Sequence, residues 1–229
     1  SGIGEATAVL LAERGARVVL GARGADRLAK VADRVTGLGG EVAFLPTDVR
    51  RRDDVTALVA LARERFGRLD VFVGNAGVMP ISPMDDLRVD DWEDMVDVNV
   101  KGVLFGIAAA LPVFREQGSG HFVTVASTAG HRIVPTMAVY AGTKFAVRAI
   151  CEGLRQEAGE DLRVTIVSPG MTDTEGARSG AGPEVGAQIR ASESASMPAS
   201  AVAGAIAYAI DQPAGVDVGE IVIRPTAQS

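Results

Sequence analysis

The chain has 229 residues, 47% of them hydrophobic, with a formal charge of -6 and a single cysteine, Cys151. That length suits one α/β unit with a large core, and mild acidity without a basic stripe argues against nucleic acid as a partner. No run reaches eighteen uninterrupted apolar residues, which argues against a membrane span, and the lone cysteine leaves no internal disulfide and fits a reducing, cytoplasmic setting.

The chain opens with Ser1 rather than Met, and no signal peptide is visible from there. Helix and strand patterns then alternate: helix 2–14, strand 17–20, helix 25–38, strand 42–45, helix 52–66, strand 71–73, helix 91–116, strand 122–125, helix 136–158, strand 164–167, helix 199–211 and strand 221–223. The strand runs are short, nearly all apolar and rich in β-branched residues, as strands buried on both faces are. Strands separated by helices predict right-handed crossovers and a Rossmann-like, doubly wound parallel sheet in a single domain spanning 1–229. The segment 171–197, rich in Gly, Ala, Ser and Glu with Pro183 inside, leaves the sheet where a ligand would sit. It reads as a lid, with a disordered insertion as the alternative.

Ser1-Gly2-Ile3-Gly4 precedes the first helix. Glycines there let the backbone approach a pyrophosphate, and the helix N-terminus supplies free N–H groups and positive dipole. A complete fingerprint needs another glycine upstream, after a strand. Both would lie before residue 1, so the chain reads as lacking its first strand. The next strand ends in Ala22-Arg23. An NAD-selective site usually has an acid there for the ribose 2′-OH. Ala22 lacks that acid, and the Arg23 guanidinium suits a 2′-phosphate, which favours NADP(H) over NAD(H). Arg23 as a plain solvated charge is the alternative. Asp48, before Val49, can accept from an adenine amine or cap the helix that starts near Arg52. Gly74-Asn75-Ala76-Gly77 forms a small-residue strand tip, equally readable as a turn.

Ser127, Tyr140 and Lys144 carry the chemistry. Tyr140 and Lys144 are four apart on a helix and share a face. Ser127 follows the strand 122–125, at the ligand edge of the sheet. Carbonyl reduction needs a proton delivered to oxygen, and a phenol with a pKa of about 10 exchanges protons poorly near neutrality. A nearby ammonium is expected to lower that pKa, and Ser127 to anchor the substrate oxygen. An ordinary amphipathic helix face, with Ser127 in a turn, is the competing reading. Pocket candidates flank the trio: Ala129, His131, Val134, Met137 and, from the lid, Met171. His131 is expected as a pocket-wall or surface group rather than a base. It has no second ligand type at metal spacing nearby, so no metal site is expected.

These motifs, with Asn99 in Asn99-Val100-Lys101-Gly102 and with Pro169-Gly170, fall in the order of the short-chain dehydrogenases/reductases, and the resemblance covers essentially the whole chain. It implies Tyr140 as the acid/base, Ser127 as the oxygen anchor and Asn99 holding a water in a relay through Lys144. It puts Ser1, Gly2, Ile3 and Gly4 on the pyrophosphate, Asp48 and Val49 near the adenine, and Asn75, Ala76 and Gly77 along the ribose. Pro169, Gly170, Thr172 and Thr174 would meet the nicotinamide carboxamide and phosphates. Gly74 departs from the asparagine usual in the family. The ending 218–225 and Ala22-Arg23 resemble an NADP-dependent branch of 3-hydroxy-acid and serine dehydrogenases and clavulaldehyde-type reductases, implying a small carbonyl compound or alcohol as substrate. The family also implies a homodimer or homotetramer joined through helices 91–116 and 136–158. A nucleotide-sensing protein without turnover is the rival reading, which an intact Asn99, Ser127, Tyr140 and Lys144 oppose. A lyase or epimerase would need a larger substrate domain.

Overall fold

A computed structural model describes residues 1–174 and 196–228. The strands are β1 (Val18–Ala22), β2 (Val42–Pro46), β3 (Val71–Gly74), β4 (Gly120–Val125), β5 (Leu162–Pro169), the short β6 (Thr172–Asp173) and β7 (Met197–Pro198), and β8 (Glu220–Ile223). The helices are α1 (Gly2–Glu13), α2 (Ala25–Gly37), α3 (Arg52–Phe66), α4 (Val89–Val96), α5 (Gly102–Gln117), α6 (Ala138–Ala158) and α7 (Ala199–Ile210). The expected lid falls mostly at 175–195, outside the described residues.

All strand pairs among the described residues are parallel, in three hydrogen-bonded groups: β1–β2, β3–β4–β5–β8 in that order, and the short β6–β7. Alternation along β4 explains the layers. Phe122 turns to the face that holds Phe114 of α5 and Val147 and Cys151 of α6. Val123 and Val125 turn to the other face, against Val202 and Ile206 of α7. Phe114 meets Phe122 edge-on, centroids 4.9 Å apart at 71°. Both are essentially buried, each contributing about 1.5–3 kcal/mol relative to exposure. Helices thus cover both sides of a parallel sheet, as the alternating pattern predicts.

The strands β3, β4 and β5 end near one another, at Gly74, Val125 and Pro169. Loops leaving those carboxyl ends face a cleft of about 1650 Å³, larger than an ordinary ligand pocket of about 300–1,000 Å³. Among the described residues β1 and β3 do not pair with each other. Both line the same cavity, which runs on between them past Leu11, Val55, Val59 and Ala62.

Two helices depart from their sequence patterns. The stretch expected as one helix over 91–116 comprises α4, a wide π turn at Asp97–Lys101, and α5. The run Val89–Gln117 is long and apolar enough, by length and composition, to cross a bilayer, with hydropathy 1.6. Its Ala110, Val113 and Phe114 are buried in the core. The helix expected from residue 136 starts at Ala138, because Thr136 has φ 67°, left-handed backbone that a β-branched residue rarely adopts and that cannot begin a right-handed helix.

Candidate active site

Ser127 follows β4 by two residues and opens a short 3₁₀ turn, its Oγ accepting from the Ala129 N–H at 3.1 Å. Tyr140 sits in the first turn of α6, half-buried in the cleft wall. The Ser127 hydroxyl lies near enough to its phenol to favour the ionised form. Lys144 lies one turn on, 5% exposed, with Nζ donating to the Val125 carbonyl at 3.1 Å and 5.8 Å from the Tyr140 ring centroid. Burial raises the phenol above its ordinary 10, with the Ser127 hydrogen bond opposing. This differs from the expected lowering by Lys144. The ammonium is turned toward a backbone carbonyl, and desolvation dominates. The same burial drives the Lys144 amine down to about 8.

Asn99 lies in the π turn, 1% exposed, behind the cleft wall. Its Oδ1 accepts from the Val78 N–H at 2.8 Å, and its Nδ2 donates to the Val78 carbonyl at 2.9 Å and to Thr143 Oγ1 at 3.1 Å. The Thr143 hydroxyl donates to the Tyr140 carbonyl at 2.7 Å. The side chain of Asn99 therefore fastens the loop after β3 to α6, and Gly77 in that loop packs beside Asn99 Oδ1 and Lys144 Nζ. A π turn at a functional position is a recurrent device, since one extra residue re-aims the side chains around it.

At the other end of the cleft, no side chain caps α1, so its first N–H groups are left for a ligand. Gly2 has φ 59°, and a methyl on Gly4 would lie 2.7 Å from Asn75 Nδ2. The backbone at Gly2 favours glycine, and a side chain at Gly4 would push the Asn75 amide aside. Arg23 follows β1 at the cleft lip and makes no ion pair among the described residues. Asp48 does not cap α3. Its carboxylate takes Arg50 Nε at 3.0 Å and NH2 at 2.6 Å, which holds it below the usual carboxylate range despite burial. Val49 packs under Gly102, the first residue of α5.

Pro169 closes β5. The Gly170 N–H donates to the Ile223 carbonyl at 2.7 Å, and the Met171 N–H to Gln228 Oε1 at 2.8 Å. Thr172 Oγ1 donates to the Gly170 carbonyl at 2.9 Å, and Thr174 packs on Gly2. Ala129, His131, Val134, Met137 and Met171 all line the same cleft as Tyr140. The structure thus gathers every sequence-derived site residue on one cleft, Asn99 lying just behind its wall. Thr143 and Gln228 were missed. Thr143 is adjacent to Lys144 and readable as part of its motif. Gln228 is 57 residues from its partner and carries no local signal.

The sequence profile described as short chain dehydrogenase matches residues 1–182. The chain is 47% identical to an uncharacterised oxidoreductase of Staphylococcus saprophyticus and 43% identical to one of Listeria innocua, in each case over 100% of this chain and 94% of the relative. Among solved structures, an alcohol dehydrogenase of the archaeon Thermococcus sibiricus complexed with 5-hydroxy-NADP superposes with TM-score 0.89 at 31% identity, covering 100% of this chain and 94% of that one. The closed form of a serine dehydrogenase complexed with NADP+ gives 0.89 at 28%, covering 100% and 92%.

Proposed function

The chain belongs to the short-chain dehydrogenase family of oxidoreductases, and from that premise we propose an NADP(H)-dependent enzyme that interconverts a small carbonyl compound and its alcohol, with Tyr140 as acid and base. The observation that carries the reading is that Ser127, Tyr140 and the buried Lys144 face one cleft, with the Ser127 hydroxyl acting on the Tyr140 phenol. The cofactor-bound neighbours support a nicotinamide nucleotide. The uncapped α1 terminus fits its pyrophosphate, and Arg23, at the cleft lip beside Ala22, fits a 2′-phosphate. Asp48, Val49, Asn75, Ala76, Gly77, Pro169, Gly170, Thr172 and Thr174 form the remaining walls.

When bound, the nicotinamide supplies or accepts the hydride. Ser127 Oγ holds the substrate oxygen against the phenol, the placement that pays most when negative charge develops there. Tyr140 gives that oxygen its proton in reduction and takes one back in oxidation. With Nζ held at the Val125 carbonyl, Lys144 keeps a buried amine one helical turn from the phenol. Asn99 keeps the loop after β3 and the start of α6 in register. The notion of a water at Asn99 linking Lys144 to solvent belongs to this reading. Ala129, His131, Val134, Met137 and Met171 shape the substrate end. Exposed Val96, Leu104 and Phe145 on α4, α5 and α6 support assembly as a homodimer or homotetramer, and the single buried Cys151 suits the cytoplasm.

A panel of small aldehydes, β-keto acids and hydroxy acids, followed by NADPH absorbance on full-length protein, tests the activity. In Tyr140→Phe, turnover is expected to vanish while NADPH still quenches or enhances fluorescence as in the parent. Parental turnover in that variant would remove Tyr140 from the chemistry.

A further inference from the structure

Behind the substrate end of the cleft, four elements meet on one carboxylate. Glu220 on β8 receives Arg148 Nε on Oε1 and Arg148 NH2 on Oε2, each at 3.0 Å, a bidentate fork. Its Oε1 also accepts from Ser168 Oγ at 3.1 Å and lies 2.9 Å from His131 Nε2. His131 Nε2 also lies 3.2 Å from Ser168 Oγ. Arg148 NH1 then reaches on to the Gly130 carbonyl at 2.8 Å. Burial alone would raise the Glu220 carboxyl, yet the Arg148 and Ser168 hydrogen bonds hold it below its usual range.

The origins of these partners matter more than their number. Arg148 is four residues past Lys144 and eight past Tyr140, on the same stripe of α6. Gly130 and His131 end the 3₁₀ turn that begins at Ser127, whose hydroxyl accepts from Ala129 inside that turn. A methyl on Gly130 would lie 2.9 Å from Arg148 Cδ and 3.0 Å from the Lys144 carbonyl, so this turn rests directly on α6. Two of the four elements tied together, the 3₁₀ turn and α6, thus carry the Ser127–Tyr140 pair. Exposed ion pairs contribute little to stability. A forked, three-element tie at 27–29% exposure is instead suited to fixing geometry.

The geometry points to Glu220 as a positioning residue for catalysis: through Arg148 and His131 it sets the distance between the Ser127 hydroxyl and the Tyr140 phenol. This rests on the proton-transfer reading of Tyr140. It assigns a role to a residue that does not line the cleft, in a strand to which sequence reasoning gives no catalytic part.

Two measurements on full-length protein test it. In Glu220→Gln, with one charge and one acceptor removed at constant shape, kcat is expected to fall about 10- to 100-fold, the cost of a misplacement near 1 Å, with NADPH affinity and Tm close to the parent. Combining it with Ser127→Ala should cost little beyond Ser127→Ala alone, because Glu220 acts through that hydroxyl. Falls that multiply in the double variant, or a parental kcat in Glu220→Gln, overturn the assignment. So does a fall in kcat that merely tracks lost NADPH binding. The second measurement needs no turnover: the phenol titration of Tyr140, isolated as the absorbance difference from Tyr140→Phe. Loosening the Ser127 hydrogen bond should move its midpoint upward in Glu220→Gln, and an unmoved midpoint overturns the proposal. If Glu220→Gln does not fold, Arg148→Lys keeps the charge but loses the fork, with the same expected losses and the same refutations. A parent enzyme without carbonyl turnover would instead sink the reductase reading, leaving the phenol titration to judge Glu220.

Discussion

Replacing Lys144 by methionine should give a protein that is more stable at neutral pH and inert. Lys144 is 5% exposed, and burial lowers its amine from 10.5 to about 8. The folded state therefore holds the proton less well than the unfolded chain. At about 1.4 kcal/mol per pH unit, the buried ammonium costs about 3 kcal/mol at pH 7. Between pH 8 and 10.5 the unfolded chain binds the extra proton, so stability rises with pH across that window and carries the full penalty below pH 8. Methionine keeps an unbranched stem but gives up the 3.1 Å bond to the Val125 carbonyl, about 1 kcal/mol. The net gain at pH 7 is about 2 kcal/mol, or about 4–8 °C in Tm for a chain of this size. Thermal melts of parent and Lys144→Met without cofactor, at pH 7 and 9.5, measure it. The parent should recover about 2 kcal/mol on the variant between those values. A variant less stable than the parent at pH 7, or a gap indifferent to pH, refutes the buried-ammonium argument.

Arg23→Asp should weaken NADPH binding about 10- to 100-fold, the worth of a charged hydrogen bond, and shift preference toward NADH. Equal NADPH affinity in variant and parent, by fluorescence titration, removes Arg23 from the cofactor site. His121 is buried between β4 and β5 with Nε2 2.8 Å from Thr165 Oγ1, and desolvation lowers its pKa to about 3. Its folded value lies below the unfolded 6.5, so stability is lost as pH falls from 6.5 toward 3. From pH 7 to 5 the parent should lose about 2 kcal/mol more than His121→Asn, read by urea melts; parallel losses would refute it. Gln228→Leu removes the acceptor for the Met171 N–H and should raise KM about five- to tenfold, whereas Gln228→Glu keeps the acceptor and the parental KM. Matching KM values in all three proteins would show that this bond does not shape the cleft.

Much of the fold was legible because buried parallel strands leave short β-branched runs and the helices between them keep their apolar period. The pattern over 52–66 gives α3 without adjustment. The π turn was not legible. One extra residue in a long apolar helix leaves no compositional trace, since the pattern resumes at once on the far side. Thr136 looked helical by periodicity, but periodicity is blind to a left-handed φ. In the site, Tyr140, Lys144 and Ser127 were readable because their spacing is local to a helix and a strand end. The direction of the phenol's shift was not, because it depends on how much water three separate segments exclude. Of the two readings open for Asp48, capping of α3 is not realised, because Arg50, two residues away, takes the carboxylate. Glu220 and Arg148 are 72 residues apart, joined only once β8 closes on β5.

The wide turn at Asp97–Lys101 also restricts how this helix can change in length. Deleting any one residue there would let an ordinary α-helical ladder close, leaving α4 and α5 in phase but re-aiming the side chains inside the turn. Asn99 would then leave Val78 and Thr143, and the loop after β3 would lose its fastening to α6. The residue count between Trp92 and Gly102 is thus as much a component of the active centre as any side chain in it, and a point deletion there is a functional lesion even with every named group intact.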